Sequence, residues 1–203
     1  LITKYALTVK GFREYWRAEE YTIQPTNKQK QPRQMGTQHS MFVESQFTYE
    51  GCTGGKLGYT DEARHTSATS AKRGDVELIC VTMSSQKYEK YEDTAALFDY
   101  CFDSFEKVTL SKRSLQGFVI PVMDGDTQVQ EVRIYPDSSI DLLLHRQYSV
   151  DDLSLEYQVP KTYRLGEDVI PSLKVTLKPE SSSMYRDLGS FPLPFSLIDT
   201  TEQ

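Results

Sequence analysis

Val76-Glu77-Leu78-Ile79-Cys80-Val81-Thr82 is a nearly continuous apolar run of strand length, and Lys72-Arg73-Gly74-Asp75 just before it has turn chemistry. The preceding Thr66-Ser67-Ala68-Thr69-Ser70-Ala71 is small and polar, so residues 66–83 are expected to form an antiparallel hairpin. A strand as apolar as the second is usually covered on both faces, which places it in the middle of a sheet. From Asp93 the pattern turns helical. Asp93 or Thr94 can cap the helix, and Leu97, Phe98, Cys101, Phe102 and Phe105 make one apolar stripe. A helix over residues 93–106, packed on an antiparallel sheet, follows from this order.

The pattern on either side divides the chain near Lys107. Ile2, Tyr5, Val9, Phe12 and Trp16 recur at steps of three and four and predict an opening helix. That start, Leu1-Ile2-Thr3-Lys4 without a Met, reads as the interior of a helix and suggests a processed product or a chain that begins partway through a longer protein. Residues 20–30 turn irregular, with Pro25 and Pro32 as breakers. Beyond residue 107, residues 116–122, 128–135, 140–145, 153–159 and 173–177 alternate or run apolar at strand length. Met123-Asp124-Gly125-Asp126, Pro136-Asp137-Ser138 and Leu165-Gly166-Glu167 supply turns between them, and Ser181-Ser182-Ser183 opens a loosely patterned tail. The expected fold is α+β: an antiparallel sheet with helices over residues 1–107, then a small all-β sandwich-like domain over 108–203.

A net charge of −6 over 203 residues argues against a nucleic-acid or anionic-membrane surface. No apolar run approaches the length of a bilayer span, and no signal peptide opens the chain. The three cysteines, Cys52, Cys80 and Cys101, cannot all pair with one another, and their spacing fits no zinc pattern. Cys80 and Cys101 lie in apolar runs and read as buried free thiols. With three histidines in the chain, neither a metal nor another cofactor is called for.

Gly54-Gly55-Lys56-Leu57-Gly58-Tyr59-Thr60-Asp61-Glu62-Ala63 sets a lysine between glycines just before the hairpin. Glycine on both sides would let an extended ligand approach the backbone beside a cation. Alone, the pattern more often marks an ordinary glycine-rich turn. His65 lies close enough in sequence to suggest a general base, although a lone histidine beside a strand more often has no chemical role.

With its surroundings, the run resembles the Lys-Thr-Gly motif of the serine-type D-Ala-D-Ala carboxypeptidases, the low-molecular-weight penicillin-binding proteins. Glu14-Tyr15-Trp16, Glu20-Tyr21-Thr22-Ile23-Gln24-Pro25-Thr26-Asn27-Lys28 and the stretch from Lys90 to Phe102 continue the likeness through about residue 107. The later segment resembles the family's β-rich C-terminal domain in position and strand pattern. The resemblance implies part of a hydrolase that trims D-Ala from peptidoglycan stem peptides through an acyl-enzyme, with β-lactams as substrate mimics. It also implies a place on the extracellular face of a bacterial cell envelope.

Family chemistry needs a nucleophilic serine with a lysine one helical turn later, and a second motif ending in Asn. Both precede, in the family, the segment that opens this chain. Asn27 is the sole asparagine and does not sit in a Ser-x-Asn motif. Ser84 to Lys87 and Ser104 to Lys107 match Ser-x-x-Lys, but they follow the Lys56 strand and read as chance matches. The resemblance makes Lys56 the motif lysine, catalytic and substrate-binding, and Gly58 the motif glycine. Leu57 stands where the family has Thr, and Lys90 where members often have Arg. The chain is thus expected to be inactive by itself and to need a missing N-terminal half or a second copy. An alternative reading is a non-catalytic peptidoglycan-peptide-binding or scaffold relative with a decayed site. A third makes the later β segment the working part, docking a cell-wall or membrane-proximal partner.

Overall fold

The computed structural model describes residues 1–164, 170–178 and 187–197. The turn expected at Leu165-Gly166-Glu167 and the Ser181-Ser182-Ser183 run lie outside them. The chain divides into two units, Leu1–Ser104 and Phe105–Gln203.

The first unit opens with two short helices, α1 (Ile2–Ala6) and α2 (Phe12–Trp16), rather than the one continuous helix its periodicity predicts. Gly11 between them holds φ at 82°, a left-handed conformation that stops a right-handed helix. Strands β1 (Glu20–Ile23) and β2 (Arg33–Gly36) then pair antiparallel where the sequence reads as irregular. Pro25 and Pro32 fall in the connection between these strands, so the breakers mark a loop within a hairpin rather than loss of structure.

The next sheet has the order β3-β4-β5, formed by β3 (Cys52–Thr60), β4 (Arg64–Arg73) and β5 (Val76–Ser85). The expected hairpin is present as β4 and β5, but the placement of its apolar strand is overturned. β5 lies at the sheet edge, with Val81 57% exposed and Leu78 only half-buried. The buried centre is β4, whose Ser67, Thr69, Ser70 and Ala71 are almost wholly enclosed. Small side chains allow close approach from neighbouring elements, and their hydroxyls find partners: Ser67 Oγ and Thr82 Oγ1 lie 2.8 Å apart across the pair. Hydrophobicity therefore marks the wrong strand as central.

Helix α3 (Glu89–Ser104) starts four residues before Asp93, so Asp93 and Thr94 lie inside it rather than capping it. Thr94 instead donates from Oγ1 to the Lys90 carbonyl at 2.6 Å. The buried face runs through Tyr91, Thr94, Phe98 and Phe102, steps of three, four and four. Leu97, expected in the stripe, is 49% exposed, and Phe105 has left the helix. Phe98, Phe102 and Ala71 form a small core, with Tyr49, Val76, Leu78 and Cys80 packed around it. All three cysteines are free and half-buried, and burial pushes each thiol up.

In the second unit, β6 (Phe105–Leu110) pairs antiparallel with β9 (Ile140–His145), while β7 (Phe118–Asp124) and β8 (Thr127–Ile134) form a hairpin. Strand β10 (Leu153–Gln158), the short β11 (Tyr163–Arg164), β12 (Ser172–Leu177), β13 (Asp187–Pro192) and β14 (Phe195–Leu197) complete two further sheets, β10-β12-β13 and β11-β7-β8-β14. One core joins these sheets, because alternate residues point inward: Ile120 and Val122, Val132 and Ile134, Ile140, Leu142 and Leu144, Leu173, Val175 and Leu177. Leu155, two residues along β10 from the buried Leu153, is 36% exposed, and β10 is an edge strand.

The assignment of α3's inward face has a direct check. Phe98→Ala is expected to destabilise the first unit by about 3–5 kcal/mol through lost burial and a cavity. Leu97→Ala is expected to stay within about 0.5 kcal/mol. Native-state hydrogen exchange at the β4 amides, compared between the two variants, measures both.

Candidate functional site

β3 presents the glycine-lysine run as the outer strand of its sheet. Its register sets Gly55 opposite Thr69, Lys56 opposite Ala68, Leu57 opposite Ser67 and Gly58 opposite Thr66. Lys56 is exposed, and its ammonium donates to the Leu57 carbonyl. It makes no ion pair among the described residues. Leu57 is half-buried and Gly58 exposed.

The glycines do not share one role. At Gly54, φ is +131°, and an added Cβ would lie 2.3 Å from the Trp16 carbonyl oxygen. At Gly55 it would lie 2.5 Å from His39 Nε2 and 2.7 Å from the Ala68 carbonyl oxygen. The first two glycines therefore admit the chain's own α2 and His39, not a ligand as the sequence suggests. Gly58, after Lys56, is exposed, but an added Cβ there would lie 2.7 Å from Thr66 Oγ1.

His39 is the group that sequence reasoning missed. It is 1% exposed, with Nε2 2.9 Å from Thr69 Oγ1. The Met41 backbone N–H donates to Nδ1 at 3.4 Å, which assigns the proton to Nε2 and makes Nε2 the donor to Thr69. The ring packs against Phe42 at 5.3 Å and Tyr91 at 5.8 Å between centroids. Burial pushes the imidazole down to about 4, and the charges of Lys90 and Lys56 act in the same direction. The one available sequence signal was its apolar neighbours, Met41 and Phe42, which carry no period.

Lys90 lies in the first turn of α3 and is 3% exposed. Its ammonium donates to the Lys87 carbonyl and sits 4.0 Å from the centre of the Tyr91 ring. Lys56 and Lys90 thus flank His39 electrostatically, one exposed and one enclosed. His65 is set apart at the β3–β4 end, half-buried and tilted against Tyr59 with ring centroids 4.6 Å apart. Ser84 and Ser104, the serines of the Ser-x-x-Lys matches, fall at the ends of β5 and α3. The arrangement offers an exposed cation and an outer strand edge beside it, with a neutral histidine behind.

No protein-family model matches the chain. The D-alanyl-D-alanine carboxypeptidase DacF of Bacillus subtilis (strain 168) is 26% identical over 112 residues, 55% of this chain and 28% of that protein. Penicillin binding protein 5 from Haemophilus influenzae superimposes with a TM-score of 0.59 at 15% identity, over 94% of this chain and 51% of that one. A peptidoglycan synthesis regulatory factor (PBP3) from Streptococcus pneumoniae gives 0.59 at 16% identity, over 95% and 52%. The chain has a penicillin-binding-protein fold. It spans about half the length of these solved chains and 28% of the curated relative.

The buried neutral His39 dictates the sign of one pH effect on this fold. Its folded pKa, about 4, lies below the usual value of 6.5, so between them the unfolded chain holds the extra proton. Stability is expected to fall as pH drops through that window, by on the order of 3 kcal/mol. Urea midpoints for the first unit between pH 7 and 4 should show this slope, and His39→Gln should flatten it.

Proposed function

We propose that this chain is part of a serine-type D-Ala-D-Ala carboxypeptidase acting on peptidoglycan stem peptides, with its nucleophile on polypeptide outside the chain. The observation that supports this most is Lys56: an exposed ammonium with no ion pair among the described residues, on the outer strand of a sheet with the penicillin-binding-protein fold. An extended peptide can add along a strand edge, and Lys56 would attract its terminal carboxylate. Gly58 lies exposed two residues further along the same strand. Lys90, enclosed, acts through its field and through its hold on Tyr91 rather than by direct contact.

Leu57 marks the departure from the family pattern. A threonine hydroxyl could donate to a carboxylate; leucine cannot. One such bond to a charged acceptor is worth on the order of 1.5–3 kcal/mol, or about 10- to 100-fold in rate. The reaction proposed is acyl transfer from the peptide carbonyl to the serine, with release of D-Ala, then hydrolysis. A β-lactam would form the same acyl-enzyme and stay attached. The outer side of a bacterial cell envelope is where such a substrate lies. No helix among the described residues is long and apolar enough to cross a membrane.

The open β5 edge fits the same reading. A long apolar edge left unpaired invites association, and we propose that polypeptide outside this chain, or a second copy, covers it. By itself the chain is expected to self-associate in light scattering; a monodisperse monomer would count against this part.

Labelled penicillin tests the function in the full-length protein that contains this chain. Covalent labelling is expected there, reduced about 100-fold or more by Lys56→Ala and raised about 10- to 100-fold by Leu57→Thr. No labelling of the full-length protein, or labelling indifferent to Lys56, would favour the scaffold reading.

A further inference from the structure

Partners across an antiparallel pair point to the same face, and side chains alternate along each strand. The β3–β4 register therefore sets Lys56 and Gly58 on one face with their partners Ala68 and Thr66, while Leu57 turns to the other face with Ser67. On the Lys56 face the space over Gly58 is taken from β4: Thr66 Oγ1 lies 2.7 Å from where a Cβ on Gly58 would sit. Thr66 is half-buried, and its hydroxyl makes no hydrogen bond among the described residues. Thr60, further along the same face, already serves the turn, since the Ala63 N–H donates to its Oγ1 at 3.0 Å. On its other side β4 meets an irregularity at the same level. The β4–β5 register shifts between His65 and Ser67, and Ser84 on β5 holds φ at 57°. A bulge of this kind bends the pair and re-aims the side chains beside it.

Thr66 thus holds a hydroxyl over a glycine, diagonal to Lys56, with no acceptor of its own in the described structure. Diagonal neighbours of this kind stand on the order of 7 Å apart. One carboxylate bridges that gap, taking a hydrogen bond of about 2.8 Å from each side, and it has lone pairs for both donors. Leu57 offers no donor, and Ala68 has no polar side-chain atom, so on this face the hydroxyl beside the lysine comes from β4. We propose that Thr66 Oγ1 and the Lys56 ammonium together bind the terminal carboxylate of a peptide lying along β3. The assignment rests on the carboxypeptidase reading and adds to it a specificity residue: Thr66 favours a ligand that ends in a free carboxylate over one whose carboxylate is masked.

The test compares rates of covalent labelling of the full-length protein that contains this chain by benzylpenicillin and by its methyl ester, in which the carboxylate is masked. Thr66→Val keeps the shape of the side chain and removes the hydroxyl. It is expected to slow labelling by benzylpenicillin about tenfold or more and to leave the slower reaction of the ester unchanged. Thr66→Ser, which keeps the hydroxyl, should stay close to the wild-type rate. Leu57→Thr brings a second hydroxyl to the same carboxylate, so in that background the loss from Thr66→Val should shrink. An undiminished rate in Thr66→Val overturns the proposal. So does an equal loss with both compounds, or a loss indifferent to Leu57→Thr, since a residue that only packs against Gly58 would behave that way. Absence of labelling in the wild-type protein is a different result: it overturns the carboxypeptidase reading itself and this assignment with it.

Discussion

The imidazole of His39 lies against the backbone of Gly55, so close that a single added carbon would fall 2.5 Å from its Nε2. That contact joins the elements on which the candidate site depends. Through Nε2 the ring reaches Thr69 on the central strand; through its face it reaches Tyr91, next to Lys90 on α3. Gly55 itself precedes Lys56 on the outer strand. One buried side chain thereby fixes the position of the strand that presents the cation. A charged imidazole would be poorly tolerated there, between two lysines and away from water, which is why burial keeps it neutral. The hydroxyl of Thr69 completes the arrangement by accepting the one proton that the neutral ring carries.

The two units draw their stability from different sources, and this decided what could be read from the sequence. In the second unit the strands alternate between a shared core and solvent, so Ile140, Leu142 and Leu144, or Leu173 and Val175 with Leu177, announce their strands and their inward faces at once. In the first unit the central strand is built from Ser67, Thr69, Ser70 and Ala71, and no hydrophobicity pattern marks such a strand as buried. The apolar β5 drew the central assignment instead, although it is an edge. Leu97 and Phe98 illustrate the same limit within α3: a stripe that wide does not say which of two adjacent apolar residues faces inward, and only Phe98 does.

The candidate site was half legible. Lys56, Leu57 and Gly58 announce themselves because a glycine-flanked lysine before a hairpin is unusual and has a family counterpart. The purpose of Gly54 and Gly55 was not legible, since the groups they admit, Trp16 and His39, come from segments with no local pattern linking them to β3. Nothing in the sequence around Lys90 announces that it is enclosed, with its ammonium over Tyr91. The fold comparison supplies what neither residue pattern nor packing could: both solved relatives match over nearly all of this chain and extend to about twice its length. Lys56 and the apolar β5 lie on the two outer strands of one sheet, with β4 between them.

The account rests on Gly55 accepting His39 so that the Lys56 strand is held in place, and Gly55→Ala tests this most directly. Hydrogen exchange of residues 55–58 and of the first turn of α3 is the measurement. The added methyl should cost about 1–3 kcal/mol from overpacking, and protection should fall together at β3, at Thr69 and at Tyr91. Unchanged protection at all three would show that the imidazole does not hold the strand, and the placement of Lys56 would need another cause.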